Sequence, residues 1–252
     1  MKLENQVFII TGATSGMGKS MATLFARQGA KLVLSGRDKE RGEVLLKELK
    51  QSHADAVFHA GDIGEPSVNE QLVELALSTF GKLSGVLSNA GVLGLGRIAD
   101  IDIEDWHHTL NTNFNAFFYI CKYAIPHIEK ENGVIIANAS IAAFKSFPNH
   151  PAYCSSKAAL VSLVKQAALD YGPSVRINAI CPGPVDTPLI WDSAQAFENP
   201  DQAVESVKEA TLLKRLGTPE DIAKLALFLA SEDASWMTGS AVTIDGGIMA
   251  TS

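Results

Sequence analysis

A chain of 252 residues, 46% hydrophobic and 19% charged, is long enough to bury a sizeable core and fits one globular domain spanning 1–252. A net charge of −7 leaves no basic stripe to neutralise phosphates, which argues against nucleic acid as a partner. The first apolar run, Val7 to Ile10, is too short for a signal-peptide core, and no run of ~18 apolar residues occurs. The expectation is a cytoplasmic protein with no membrane partner. Cys121, Cys154 and Cys181 are odd in number and far apart, and no Cys-x-x-Cys or His-Glu-x-x-His occurs. Neither a disulfide framework nor a metal site is expected.

The elements alternate from end to end. Val7–Ile10 reads as a strand, followed by Thr11-Gly12-Ala13-Thr14-Ser15-Gly16-Met17-Gly18 and a helix to about Gln28. Glycines in that position permit a tight turn and let backbone amides approach a pyrophosphate at a helix N-terminus. The spacing is Gly-x-x-x-Gly-x-Gly, which differs from the Gly-x-Gly-x-x-Gly of many dinucleotide sites. Lys31–Ser35 is a second strand and Lys39–Lys50 a polar helix. Further strands are expected at 56–59, 83–88, 134–138, 176–180 and 241–244. Helical patterns cover 68–79, 104–129, 152–171 and 220–231. Repeated β-α-β with apolar strands predicts a doubly wound α/β (Rossmann) fold, a parallel seven-stranded sheet with helices on both faces. Pro188–Thr211 has no place in that pattern; a long insertion with Trp191 and Phe197 on a compact α/β domain is expected to be a lid over a ligand.

Within the helix at 152–171, Tyr153 and Lys157 are four residues apart and project from one face. A cation beside a phenol favours the phenolate, lowering a pKa ordinarily near ~10. A tyrosine tuned that way can pass a proton near neutral pH. Tyr-x-x-x-Lys is common by chance, so its weight comes from the company it keeps.

That company makes the chain resemble the short-chain dehydrogenase/reductase family along nearly its whole length, from Val7 to about Gly247. The resemblance is carried in order by Thr11–Gly18, Asp62-Ile63, Asn89-Ala90-Gly91, Asn113, Ser140, Tyr153 with Lys157, Pro182-Gly183 and Thr187. Ser140 lies 13 residues before Tyr153, the family interval. One departure is Ser88, where the family commonly has another asparagine before Asn-Ala-Gly.

The resemblance implies an oxidoreductase that moves a hydride between a nicotinamide dinucleotide and a carbonyl or secondary alcohol. Its tetrad would be Asn113, Ser140, Tyr153 and Lys157. Tyr153 would transfer the proton, and Lys157 would stabilise the phenolate and hold the nicotinamide ribose. Ser140 would hydrogen-bond the substrate oxygen, and Asn113 would keep a water that links Lys157 to solvent. Asn111 and Asn115 compete with Asn113, which is taken because the residues after it fit the family spacing. Cofactor contacts would come from Gly12, Thr14, Ser15, Gly16, Met17 and Gly18, from Asp62 and Ile63 at the adenine, and from Asn89, Ala90 and Gly91. Tyr153 and Lys157, with Pro182, Gly183, Val185 and Thr187, would complete them.

NAD-preferring relatives place an acid at the end of the second strand, where this chain has Gly36, followed by Arg37. A guanidinium in place of a carboxylate suits a 2′-phosphate by charge and by forked hydrogen bonding. NADP(H) is therefore favoured, with NAD(H) as the alternative; Asp38 competes for Arg37, and Ser15 supplies no second base. The resemblance further implies that Val92–Leu95, Ile141–Ala143, Phe147, Val185 and the lid around Trp191 lie near the substrate, and these are mainly apolar. The lid holds five carboxylates against Lys208. An uncharged ketone or secondary alcohol is expected. A second reading is a 3-oxoacyl thioester reductase of fatty-acid synthesis; a third, of another class, is a catalytically silent NADP-binding regulator. Family analogy further implies a homotetramer, built on the helices at 104–129 and 152–171 and on the segment from Trp236 to Gly247.

Overall fold

The protein is described here by a computed structural model covering residues 1–250. Seven parallel strands run β1 (Val7–Ile10), β2 (Lys31–Gly36), β3 (Ala56–Ala60), β4 (Gly85–Ser88), β5 (Val134–Asn138), β6 (Arg176–Pro182) and β7 (Ala241–Ile244). Their order in the sheet is β3-β2-β1-β4-β5-β6-β7. The chain winds outward from β1 in one direction and returns to β4 to wind in the other. This reversal opens a crevice at the carboxyl ends of β1 and β4, where ligands bind in doubly wound sheets.

Strand alternation assigns each face its own core. Val7 and Ile9 join one apolar cluster, while Phe8 and Ile10 join the other; Ile135 and Ala137 divide from Val134 and Ile136 in the same way. The first cluster takes in residues of α3 (Pro66–Phe80), α5 (Ala116–Ile128) and α6 (Pro151–Tyr171). The second takes in residues of α1 (Gly16–Arg27), α2 (Lys39–Gln51) and α9 (Pro219–Ala230). Phe8 packs edge-on against Phe25 of α1 at 5.1 Å, and both rings are fully buried.

Helix starts lie slightly upstream of the hydrophobic periodicity. Pro66, Pro151 and Pro219 each sit in the first turn, where a missing N–H costs nothing and the fixed φ is already helical. One expectation changes more substantially, and one segment gains detail. The helix expected at 104–129 is divided into α4 (Ile103–Leu110), a π-helical turn at Asn111–Asn115, and α5. The Pro188–Thr211 insertion stands outside the sheet, as expected, but it is helical: α7 (Pro188–Ala194) and α8 (Pro200–Ala210) pack against each other. Asn199 caps α8 by accepting from the Gln202 amide at 3.1 Å. Among the described residues no helix is long and apolar enough to cross a membrane.

Replacing Phe8 by Ala removes one partner of the buried aromatic pair and leaves a cavity beneath α1. Urea unfolding is expected to show a loss of roughly 3–5 kcal/mol. A loss below about 1 kcal/mol would mean that this contact does not anchor α1 to the sheet.

Candidate active site

The crevice is a cavity of about 570 Å³, and its first wall is the glycine turn after β1. Gly12 has φ of +62°, and a Cβ there would lie 2.8 Å from the Ala90 Cα. Gly18 serves another purpose: its Cβ would fall 2.1 Å from the Gly12 carbonyl oxygen, so it lets α1 close onto the turn and does not line the cavity. Thr14, Ser15, Gly16 and Met17 do line it. Ser15 occupies the N-cap of α1, yet its side chain makes no capping bond. The first-turn amides of α1 are thus left without a side-chain cap, a setting suited to an anion.

The turn is stapled to β4 and β5. The Thr11 hydroxyl accepts from the amides of Asn89 and Ala90 at 3.0 and 3.2 Å. Asn89 Nδ2 donates to the carbonyls of Thr11 and Gly12, and Asn89 Oδ1 accepts from Asn138 Nδ2 at 2.9 Å. Asn89, Ala90 and Gly91 line the cavity beside Asp62 and Ile63. Asp62 Oδ1 accepts from the Gly64 amide at 2.8 Å, which shapes the turn after β3.

At the far end of β2, Gly36 lies beneath Thr14, whose Cγ2 would be 2.8 Å from a Cβ at that position. Arg37 follows and lines the cavity. Asp38 is taken up locally: it accepts from the Arg41 amide at 3.0 Å to cap α2, and it pairs with Arg41 Nε at 3.1 Å. Arg37 has no carboxylate partner among the described residues. Arg41 also lines the cavity and was not singled out from the sequence. Its signal was the spacing of four from Arg37, one turn into a helix capped by Asp38.

Tyr153 and Lys157 line the opposite end of the crevice. The Lys157 ammonium is buried, donates to the Asn138 carbonyl at 2.8 Å, and lies 5.6 Å from the Tyr153 ring centroid. Burial lowers its pKa to about 8. Burial also pushes the Tyr153 phenol up to about 12, opposed by a side-chain hydrogen bond with Ser140. The depressed phenol expected from the spacing is therefore not what this site has. Desolvation dominates the phenol, and the Lys157 ammonium is engaged by a carbonyl.

Ser140 caps the short helical turn at Ile141–Ala143 by accepting from the Ala142 amide at 3.1 Å, and the same hydroxyl bonds Tyr153. Asn113 lies in the π-helical turn, and its side chain is fully engaged. Oδ1 accepts from the Val92 amide at 2.8 Å, while Nδ2 donates to the Val92 carbonyl and to Ser156 Oγ. Any role in holding water thus falls to its main chain, and a π-helical turn is where main-chain groups leave the regular ladder. Neither Ser140 nor Asn113 lines the cavity directly.

Of Pro182, Gly183, Val185 and Thr187, the contacts expected around the end of β6, only Thr187 reaches the cavity. Pro182 ends β6 opposite Ile244, and the Gly183 amide donates to the Ile244 carbonyl at 2.9 Å. Val185 pairs with Gly217 and is buried in the core. Val92, Leu93, Leu95, Pro188 and Leu189 supply apolar wall, with Asp192 as the carboxylate of α7 that reaches it. Trp191 is half exposed and donates from Nε1 to Asp186 Oδ1 at 3.1 Å.

Asn138, given no site role from the sequence, meets Asn89, Lys157 and the Met17 sulfur. Asn138 and Thr112 both line the cavity, and the Asn138 Oδ1 and the Thr112 hydroxyl are buried with no hydrogen-bond partner among the described residues. Unsatisfied polar atoms, uncapped helix amides and a long crevice fit a polar, phosphate-bearing ligand such as a dinucleotide.

A family model described as enoyl-(acyl carrier protein) reductase matches residues 12–249. The chain belongs to the short-chain dehydrogenase/reductase family, whose members are oxidoreductases that act on hydroxyl groups and use NAD(P)(H). It is 38% identical over 248 residues to a cyclohexanol dehydrogenase of Acinetobacter sp. strain SE19, covering 97% of this chain and 95% of that one. It is 31% identical over 263 residues to a 3beta-hydroxysteroid dehydrogenase of Mediterraneibacter gnavus, covering 98% and 95%. Among solved structures, levodione reductase superposes with a TM-score of 0.95 at 28% identity, covering 99% of this chain and all of that one.

The buried lysine has a pH signature. Its pKa falls from 10.5 in the unfolded chain to about 8 when folded, so the unfolded state holds more protons between those values and stability rises with pH there. From about pH 7 to about pH 10, the wild type is expected to gain roughly 2 kcal/mol relative to Lys157→Met, measured by denaturant unfolding. A constant gap would show that the ammonium is not desolvated.

Proposed function

We propose that this enzyme transfers a hydride between NADP(H) and an uncharged ketone or secondary alcohol of moderate size. The observation that carries the reading is the meeting of Tyr153, Lys157 and the Ser140 hydroxyl at one end of a crevice whose other end presents Arg37 and Arg41. The nicotinamide, when bound, supplies or accepts the hydride. In reduction the Tyr153 phenol, protonated at neutral pH, donates its proton to the substrate oxygen as negative charge develops there. Ser140, whose hydroxyl faces Tyr153, can turn its single O–H to that oxygen and lower the cost of the developing alkoxide. Lys157 is held by the Asn138 carbonyl and has its pKa moved close to neutrality, so it can return a proton to the phenolate and recover one from solvent. Asn113 fixes the Val92 segment of the wall and the Ser156 hydroxyl one residue before Lys157, and its main chain would hold a relaying water.

The apolar wall at Val92, Leu93, Leu95 and Leu189, with Asp192 as the neighbouring charge, favours a neutral substrate over an anionic one. The cyclohexanol and hydroxysteroid dehydrogenases among its relatives act, by their names, on alcohols of that kind. A thioester reductase comes second, because Glu129 and Asp170 mark the ends of α5 and α6 where an acidic carrier protein would need bases. A silent regulator would have no use for the desolvated pair of Tyr153 and Lys157. The apolar groove between α5 and α6, together with the fully exposed Trp236, suits self-association to a homotetramer.

In a panel of neutral and carboxylated ketones assayed with NADPH, the neutral ones are expected to be preferred. Tyr153→Phe should lower kcat by roughly 10²–10⁴-fold while NADPH binding stays close to wild type. Turnover retained in that variant would remove Tyr153 from the proton path. Arg37→Ala should weaken NADPH binding by roughly 10–100-fold, the loss of a charge-assisted pair, and NADH binding far less. Equal losses for the two cofactors would assign Arg37 another task.

A further inference from the structure

His150 takes no part in the proton path above, yet it is 3% exposed and sits three residues before Tyr153, at the N-cap of α6. Both ring nitrogens are engaged. Nδ1 lies 2.5 Å from the Pro148 carbonyl and Nε2 lies 2.8 Å from Ser193 Oγ in α7. A carbonyl can only accept, so Nδ1 carries the proton, and in the neutral ring Nε2 accepts from the Ser193 hydroxyl. The imidazole stands between two aromatic rings, with centroids 6.4 Å from Phe147 and 6.4 Å from Tyr153.

Its neighbour reinforces the same junction. Asn149 holds φ of +61°, a left-handed conformation that asparagine tolerates better than most residues. In that conformation its Nδ2 donates to the Ala196 carbonyl at 3.3 Å, just beyond α7, and its own carbonyl accepts from the Gly96 amide at 2.9 Å. The loop from Pro148 to His150 therefore joins the helix that bears Tyr153, the wall segment after β4, and the insertion that begins at Pro188.

We propose that His150 is a positioning residue that latches α7, through Ser193, over the substrate end of the crevice and against the helix that carries Tyr153. The inference rests on the reading of Pro188–Thr211 as the substrate's cover. Enclosure of the substrate and the surroundings of the phenol are then set by one buried side chain. Losing either partner leaves the other's polar atom without its bond in a part-buried junction, which loosens the hold on α7. The effect falls on substrate retention more than on the chemical step.

Ser193→Ala removes the bond while leaving His150 in place. Hydrogen exchange of the ligand-free protein is expected to show α7 amides exchanging ~2–10-fold faster, with the exchange of β1 and β4 unchanged. The KM for a bulky neutral ketone should rise by a similar ~2–10-fold with kcat within about twofold. His150→Phe keeps a ring against Phe147 and Tyr153 but removes both hydrogen bonds. The double variant is expected to be no worse than His150→Phe alone, because the two residues share one bond. Unchanged exchange in Ser193→Ala, or additive effects in the double variant, would overturn the latch. Faster exchange with an unchanged KM would overturn the proposal through its premise that α7 covers the substrate. A wild type with no ketone turnover would sink the functional reading alone, since exchange still decides the latch.

Discussion

The hydrogen bond from the Lys157 ammonium to the Asn138 carbonyl is the constraint on which the site depends. It places a positive charge in a nearly dry position between α6 and the end of β5, where a lysine is stable only with a fixed partner. Asn138 is that partner, and its side chain also reaches Asn89, which in turn holds the glycine turn through Thr11 and Gly12. One strand end thereby links the glycine turn to Tyr153 and Lys157. Gly91 shares the constraint: a Cβ there would lie 3.5 Å from the Lys157 ammonium and 3.3 Å from Asn113 Oδ1.

The same geometry gives the crevice two unlike ends. At the β2 end, the cavity presents Arg37, which pairs with no carboxylate among the described residues, and Arg41, held in place by Asp38. At the α6 end, apolar side chains and buried hydroxyls surround a protonated phenol. A long ligand that is charged at one extremity and neutral at the other matches this division. The loop at Pro148–His150 belongs to the second end, where it ties the helical insertion to the residues nearest the phenol.

Much of this was legible in the residues. Seven apolar runs separated by helical patterns led directly to a seven-stranded parallel sheet, and Tyr153 and Lys157 do share one helix face beside Ser140. Prolines at 66, 151 and 219 would have placed the helix starts one or two residues better. The π-helical turn was not legible, because Asn-Thr-Asn-Phe-Asn carries no periodic break; it is recognised by where its main chain goes. Asn138 was missed because a side chain at the end of a strand shows its partners only once three strands are adjacent. The helices of the insertion were not read from the sequence because α7 is short, and α8 is announced only by the Asn199-Pro200 cap.

The clearest gap between spacing and structure is electrostatic. A separation of four residues says that a cation and a phenol are neighbours, but not how much water either retains. In the folded protein burial dominates for both groups, so the lysine titrates before the tyrosine. The most direct measurement is a carbon NMR titration of the ligand-free protein, labelled at lysine Cε and tyrosine Cζ and assigned with Lys157→Met and Tyr153→Phe. The account predicts that Lys157 titrates at about 8 and that Tyr153 remains a phenol until about 12. A Tyr153 phenolate that forms near neutrality, beside a Lys157 still charged above pH ~10, would contradict it.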